Sequence, residues 1–159
     1  MSLSSNQTYV VLGVLIQFLV APDATSGNVA MLHFELRPGT IIPLHNHADS
    51  EIFYLLSGSL EAYVEQEGWK TFGPGQAIAI TGRVKHAIRK VSDKSAFAIA
   101  VTGRDLYSFF AELAAPLESA SPSAPPTPEQ MQHLFAVAAK YGYWLGSPED
   151  NAAIGITLG

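Results

Sequence analysis

The sequence predicts an all-β antiparallel sandwich or barrel followed by a short helical extension. Three observations predict it. From Tyr9 to Val101, short apolar runs recur at about ten-residue spacing between turn residues, with no helical period among them. After Gly103 the apolar residues fall at helical spacing. A Pro/Ser/Ala segment then separates that first helix from a second.

The strands follow in order. Val10–Leu12 and Val14–Val20 come first, and Pro22-Asp23 and Ser26-Gly27-Asn28 mark the next loop. Val29–Leu36 closes at Pro38-Gly39. Ile41–His47 and Glu51–Leu56 are joined by an Asp49-Ser50 turn, and Ser57-Gly58 turns into Ser59–Glu65. That last strand alternates, with Leu60, Ala62 and Val64 on one face and Glu61, Tyr63 and Glu65 on the other. Trp69–Phe72, Gln76–Ile80, His86–Val91 and Ala96–Val101 complete the set, each after a turn. In the extension, Leu106, Phe109, Phe110 and Leu113 make a helical stripe. Thr127-Pro128-Glu129-Gln130 opens the second helix with an N-cap, Pro at the first position and Gln three residues on. Gly142 ends it, and Gly146–Gly159 is a weakly patterned tail. The expected organisation is a barrel over 9–103, a helix packing on it over 104–117, a linker over 118–127, and a C-terminal helix and tail over 128–159.

Composition limits what the protein does. A net charge of −5, with nine scattered Lys and Arg, excludes the basic patch that nucleic acid or an anionic membrane requires. No cysteine is present, so a bound metal needs nitrogen and oxygen donors. Tyr9–Ala21 is apolar but lacks a preceding basic segment and is too short to span a bilayer. A cytoplasmic protein with a small-molecule substrate or ligand is expected. Only 14% of residues are charged, which points to a surface covered by an oligomer partner or by the chain's own tail.

The chemistry gathers in Gly39–Gly58. His45 and His47 stand two apart, so on one strand their rings share a face. Glu51 opens the next strand and reaches the same point. Neutral imidazole and carboxylate are good ligands for a divalent transition metal. His86, at the start of a late strand, is the fourth candidate. His33 is expected to be structural or to support the ligands from behind, and His133 to lie on the surface of the C-terminal helix.

These residues carry a resemblance. The first motif of the cupin superfamily, G(X)5HXH(X)3–4E(X)6G, is matched in full by Gly39, His45, His47, Glu51 and Gly58. The second, G(X)5PXG(X)2H(X)3N, is matched by Gly75 and His86, while Thr81, Arg83 and Lys90 replace its Pro, Gly and Asn. The stretches GVLIQFLVAPDATSG and YSFFAEL also resemble a group of small bacterial cupins described as quercetin-dioxygenase-like. The resemblance implies a double-stranded β-helix, or jelly-roll barrel, of two antiparallel sheets. It implies one divalent metal ion (Fe, Mn, Ni, Co, Cu or Zn) on His45, His47, Glu51 and His86, and a homodimer. It places Arg83 near the mouth, where it would meet an acidic substrate group.

If Glu51 points inward, so do Phe53 and Leu55. Ile88 shares the face of His86, and Phe34, Met31 and Phe97 are further wall candidates. Ile52, Tyr54 and Leu56 then point outward and need a cover: the N-terminal strands, the first helix or a second subunit. The function expected from this set is metal-dependent oxygenation of a small aromatic or enolic substrate, with Glu51 as ligand and base. A non-oxidative metallo-isomerase or lyase, and a binding or sensing module without catalysis, are the alternatives.

Overall fold

The structure is a computed structural model and describes residues 3–158. Twelve strands form two antiparallel sheets. They are β1 (Tyr9–Val11), β2 (Val14–Val20), β3 (Ala30–Leu36), β4 (Ile42–Asn46), β5 (Glu51–Ser57) and β6 (Leu60–Val64). Then come β7 (Gly68–Phe72), β8 (Ala77–Ile80), β9 (His86–Arg89), β10 (Ala96–Thr102), β11 (Ala115–Pro116) and β12 (Trp144–Leu145). The larger sheet runs β11-β1-β2-β3-β10-β5-β8 and the smaller β12-β4-β9-β6-β7. Among the described residues, three α-helices, α1 (Arg104–Leu113), α2 (Pro128–Tyr141) and α3 (Pro148–Ala153), follow the barrel strands.

The alternation written in the sequence decides which side chains enter the core. Leu32, Phe34 and Leu36 of β3 are buried, as are Ala96, Ala98 and Ala100 of β10. The small alanines of β10 leave room between the sheets, and β2, β3 and β5 fill it with Phe18, Phe34 and Phe53. α1 lays its stripe across this core. Phe110 meets Phe34 with ring centroids 5.5 Å apart, and Tyr107 meets Phe18 at 5.3 Å.

The helical extension differs from the expected layout in three places. α1 stops at Leu113, and Ala115–Pro116 pairs with β1 as a strand. β12 adds itself to the edge of β4, with Leu145 opposite His45 and Trp144 opposite Asn46. Two-residue strands are too short to show a period, so pattern alone does not reveal them. The tail is also built rather than loose. Ser147 caps α3 in a capping box, and Ile156 packs with Leu44 and Ala87 on the outer side of the small sheet. Trp69 Nε1 donates to the Ile154 carbonyl at 2.7 Å, and Arg89 lies 3.8 Å over the Trp69 ring.

The outer face of the large sheet is different. Ile52, Tyr54 and Leu56 are 46%, 46% and 47% exposed, so neither the N-terminal strands nor α1 covers them. Met31 joins them at 36%. No helix among the described residues is long and apolar enough to cross a membrane.

Candidate metal centre

β4 and β9 carry the histidines, and their pairing sets the geometry. Ile42 stands opposite Ile88 and His45 opposite His86, so β4 has one residue more than β9 between the two pairs. That bulge shifts the strand's parity. Ile42 and His45, three apart, both reach the cavity, and Leu44 also packs into the outer cluster. His47 follows the end of β4 and lines the same cavity.

Each ring is anchored by its Nδ1. His45 Nδ1 lies 2.7 Å from the Pro43 carbonyl, His47 Nδ1 2.8 Å from that of Asp49, and His86 Nδ1 2.9 Å from that of Val84. A carbonyl only accepts, so each Nδ1 carries the hydrogen and each neutral ring keeps its Nε2 lone pair free. The ligand atoms of the three histidines lie within 4.8 Å of one another. This geometry is compatible with a single divalent metal ion.

Glu51, first residue of β5 and buried, stands beside two of them. Its Oε1 is 3.4 Å from His47 Nε2 and 3.8 Å from His86 Nε2. The electrostatics differ from ring to ring. Burial and the neighbouring His47 lower the pKa of His45 to about 4. Burial, with His45 and His47 close by, pulls His86 far below the usual histidine value. Burial also opposes charge on His47, but the Glu51 hydrogen bond and charge, with Asp49 adding to them, outweigh it and raise its pKa.

Three side-chain atoms among the described residues are buried without a hydrogen-bond partner: Glu51 Oε2, His86 Nε2 and the Tyr143 hydroxyl. All three residues line one cavity of about 370 Å³. An orphaned buried polar atom costs about 1–3 kcal/mol, so three around one space mark a place built for something else. An acceptor oxygen and an imidazole lone pair are what a cation needs, and the donor set fits one.

The wall of the cavity is otherwise apolar. Phe34, Phe53 and Ile88 line it. Four expected wall residues do not: Leu55, Arg83, Met31 and Phe97. Leu55 is fully buried in the core between the sheets, because inward-facing residues further along β5 meet packing rather than the cavity. Arg83 is exposed and off the cavity wall; its backbone N–H donates to the His47 carbonyl at 2.7 Å, and its side chain stays in solvent. Met31 is exposed and Phe97 packs against His33 with ring centroids 5.8 Å apart, both on the outer face. His33 therefore stands behind the wrong side of the sheet to support the ligands. His133 is on the surface, its Nε2 3.2 Å from the Glu112 carbonyl.

The extension supplies the rest of the wall. Phe109 and Phe110 of α1, Met131 and Leu134 of α2, and Tyr143 line the cavity. Leu12, Ile41, Phe135 and Leu158 line it too while being 42%, 42%, 54% and 38% exposed, so the mouth is rimmed by apolar side chains. Sequence reasoning passed over Tyr143. Its signal is Gly142, which takes φ 71° and ends α2, while the Tyr143 N–H donates to the Ala138 carbonyl at 2.9 Å. That closure turns the residue after the glycine back onto the helix. The Tyr143 ring then packs 5.0 Å from Phe109 and 5.8 Å from His47. Burial, with Asp49, Asp105 and Glu51 nearby, pushes its pKa up, so the phenol keeps its proton.

A family description, "Cupin domain", matches residues 32–102. No curated protein sequence matches the chain significantly. Among solved structures, a predicted oxalate decarboxylase from Thermotoga maritima aligns with TM-score 0.56 and 19% identity, covering 65% of this chain and 98% of that one. The polyketide cyclase RemF from Streptomyces resistomycificus aligns with TM-score 0.55 and 18% identity, over 65% and 79%. The DMSP lyase DddQ from Ruegeria pomeroyi shares 26% identity at TM-score 0.46, over 50% of this chain; the match spans only 40% of that lyase. The first two share the fold of the barrel, and they are described by different activities.

Proposed function

We propose, starting from a barrel that belongs to the cupin superfamily, that this chain is a mononuclear metal-binding enzyme acting on a small, largely apolar molecule. The ligands are His45, His47 and His86, with Glu51 as the fourth. One observation carries the assignment: three rings fixed through Nδ1 with their free nitrogens converging. A divalent transition metal held there supplies Lewis acidity and, if redox-active, electrons. The finer reading is oxygenation of an aromatic or enolic substrate, supported by the aromatic wall of Phe34, Phe53 and Phe109. In it, the apolar wall binds and orients the ring and keeps water away, and Glu51 receives the substrate proton through Oε2, its unpartnered oxygen.

The same oxygen favours a second reading, since a positioned base is all that a metal-assisted isomerase or lyase adds. The two part company over O₂. Purified protein loaded in turn with Fe²⁺ and Zn²⁺ is given flavonols, catechols and β-diketones, with O₂ uptake and product followed. Uptake with Fe²⁺ alone supports oxygenation. Turnover with Zn²⁺ and without O₂ supports the second reading. Ligand-raised thermal stability with no turnover on either ion leaves a binding module. The apolar outer face of Met31, Ile52, Tyr54 and Leu56 supports assembly as a homodimer.

A further inference from the structure

The metal accounts for two of the three orphaned atoms around the cavity. The third, the Tyr143 hydroxyl, carries a hydrogen to give as well as lone pairs, so a cation would leave its donor side unpaired. We propose that Tyr143 is a specificity-determining residue, whose hydroxyl donates a hydrogen bond to an oxygen of the ligand bound at the histidine cluster. The ligand class follows from the same cavity: an apolar body of a size that about 370 Å³ admits, carrying an oxygen beside its metal-binding group.

Three features place the residue for this. Its ring packs on His47, which fixes its distance from the cluster. The strand that follows it is hydrogen-bonded to β4, so its backbone moves with His45. The groups around it do not use the hydroxyl: it has no hydrogen-bond partner among the described residues, and Asp49 accepts at Oδ2 from the Leu106 N–H at 2.9 Å. A site that buries a donor rejects molecules that leave it unpaired, and this gives discrimination an apolar wall cannot supply. The proposal rests on the metal reading above.

The test compares wild type with Tyr143→Phe, both loaded with Zn²⁺. Zinc content is measured first by elemental analysis; absence of zinc from wild type overturns the metal reading and this proposal together. With zinc in place, 4-nitrocatechol, whose absorbance shifts when its oxygens bind metal, is titrated into both. The expected result is binding to wild type and about tenfold weaker binding to the variant, the size of one lost hydrogen bond. Zinc content should be equal, and the ligand-free melting temperature of the variant should not fall, since the lost hydroxyl had no partner. Affinities within about twofold, no binding to zinc-loaded wild type, or a lower ligand-free melting temperature for the variant would each overturn it; the last would mean a structural role.

Discussion

Leu145 stands directly opposite His45 in an antiparallel pair, so β12 is laid along the strand that carries the first histidine of the cluster. The pairing is locked from behind. Asn151, fully buried, accepts from the Leu44 N–H at 2.9 Å and donates to the carbonyls of Gly146 and Ser147. Asn151→Ala orphans the Leu44 N–H and should cost about 1–3 kcal/mol. A melting temperature several degrees lower, with weaker zinc retention, is the expected outcome by calorimetry and metal titration. An unchanged value would mean that the tail is not coupled to β4.

Removing a ligand should empty the centre without unfolding the barrel. His47→Ala should lose its metal on dialysis while circular dichroism keeps the β signature of wild type. Full metal occupancy in that variant would sink the ligand assignment. His47 belongs to none of the apolar core clusters, so collapse of the core is not expected.

Acid should weaken the metal-free protein. His45 and His86 have folded pKa values below the ordinary 6.5, so the unfolded chain binds their protons first. Their contribution is present above pH 6.5 and is lost as pH falls towards the folded values, about 4 for His45. His47 acts in the opposite sense: its raised pKa gives stability that is full below 6.5 and lost as pH rises through the folded value. Two depressed rings outweigh one raised ring. Melting temperatures of the metal-free protein at pH 7 and pH 5 should therefore decrease with acid, and the fall should shrink in His45→Ala.

Arg83 and Lys90 replace the Gly and Asn of the second cupin motif, and both adopt left-handed backbone, φ 72° and 51°. The turn keeps the shape the motif residues favour and carries strain of about 1–2 kcal/mol at Arg83. Arg83→Gly relieves it, offset by about 0.5–1 kcal/mol of extra unfolded-state entropy. The expected net gain is about 0.5–1 kcal/mol by chemical denaturation. Arg83→Val, β-branched at positive φ, should destabilise. A Gly variant less stable than wild type would show that the strain is not there.

Leu56→Lys puts a charge into the apolar outer face. Wild type should sediment as a dimer and the variant as a monomer, both retaining metal. Wild type that stays monomeric at high concentration would refute the dimer.

The barrel was legible because its signals are local: turn residues, two-residue alternation and a complete first motif. The four metal candidates were legible for the same reason, since three stand within seven residues, from His45 to Glu51. The pocket was harder to read. Parity puts Phe53 and Leu55 on one face but does not say how deep each lies, and Leu55 is packed between the sheets. Arg83 was expected at the mouth, yet its fold role is in the backbone. Tyr143, Asn151 and β12 carry no period at all. Their roles exist only through contacts with β4, up to 107 residues away in sequence.

That separation also orders assembly in time. The barrel strands precede β12 and Asn151 in the chain, so during synthesis β4 lacks its β12 neighbour until that strand emerges. The pairing of β12 with β4 would then close an entry that the unfinished barrel leaves open. Release of metal from the folded protein, by this logic, should be paced by opening of β12 and α3 away from β4 rather than by the strength of the coordination bonds.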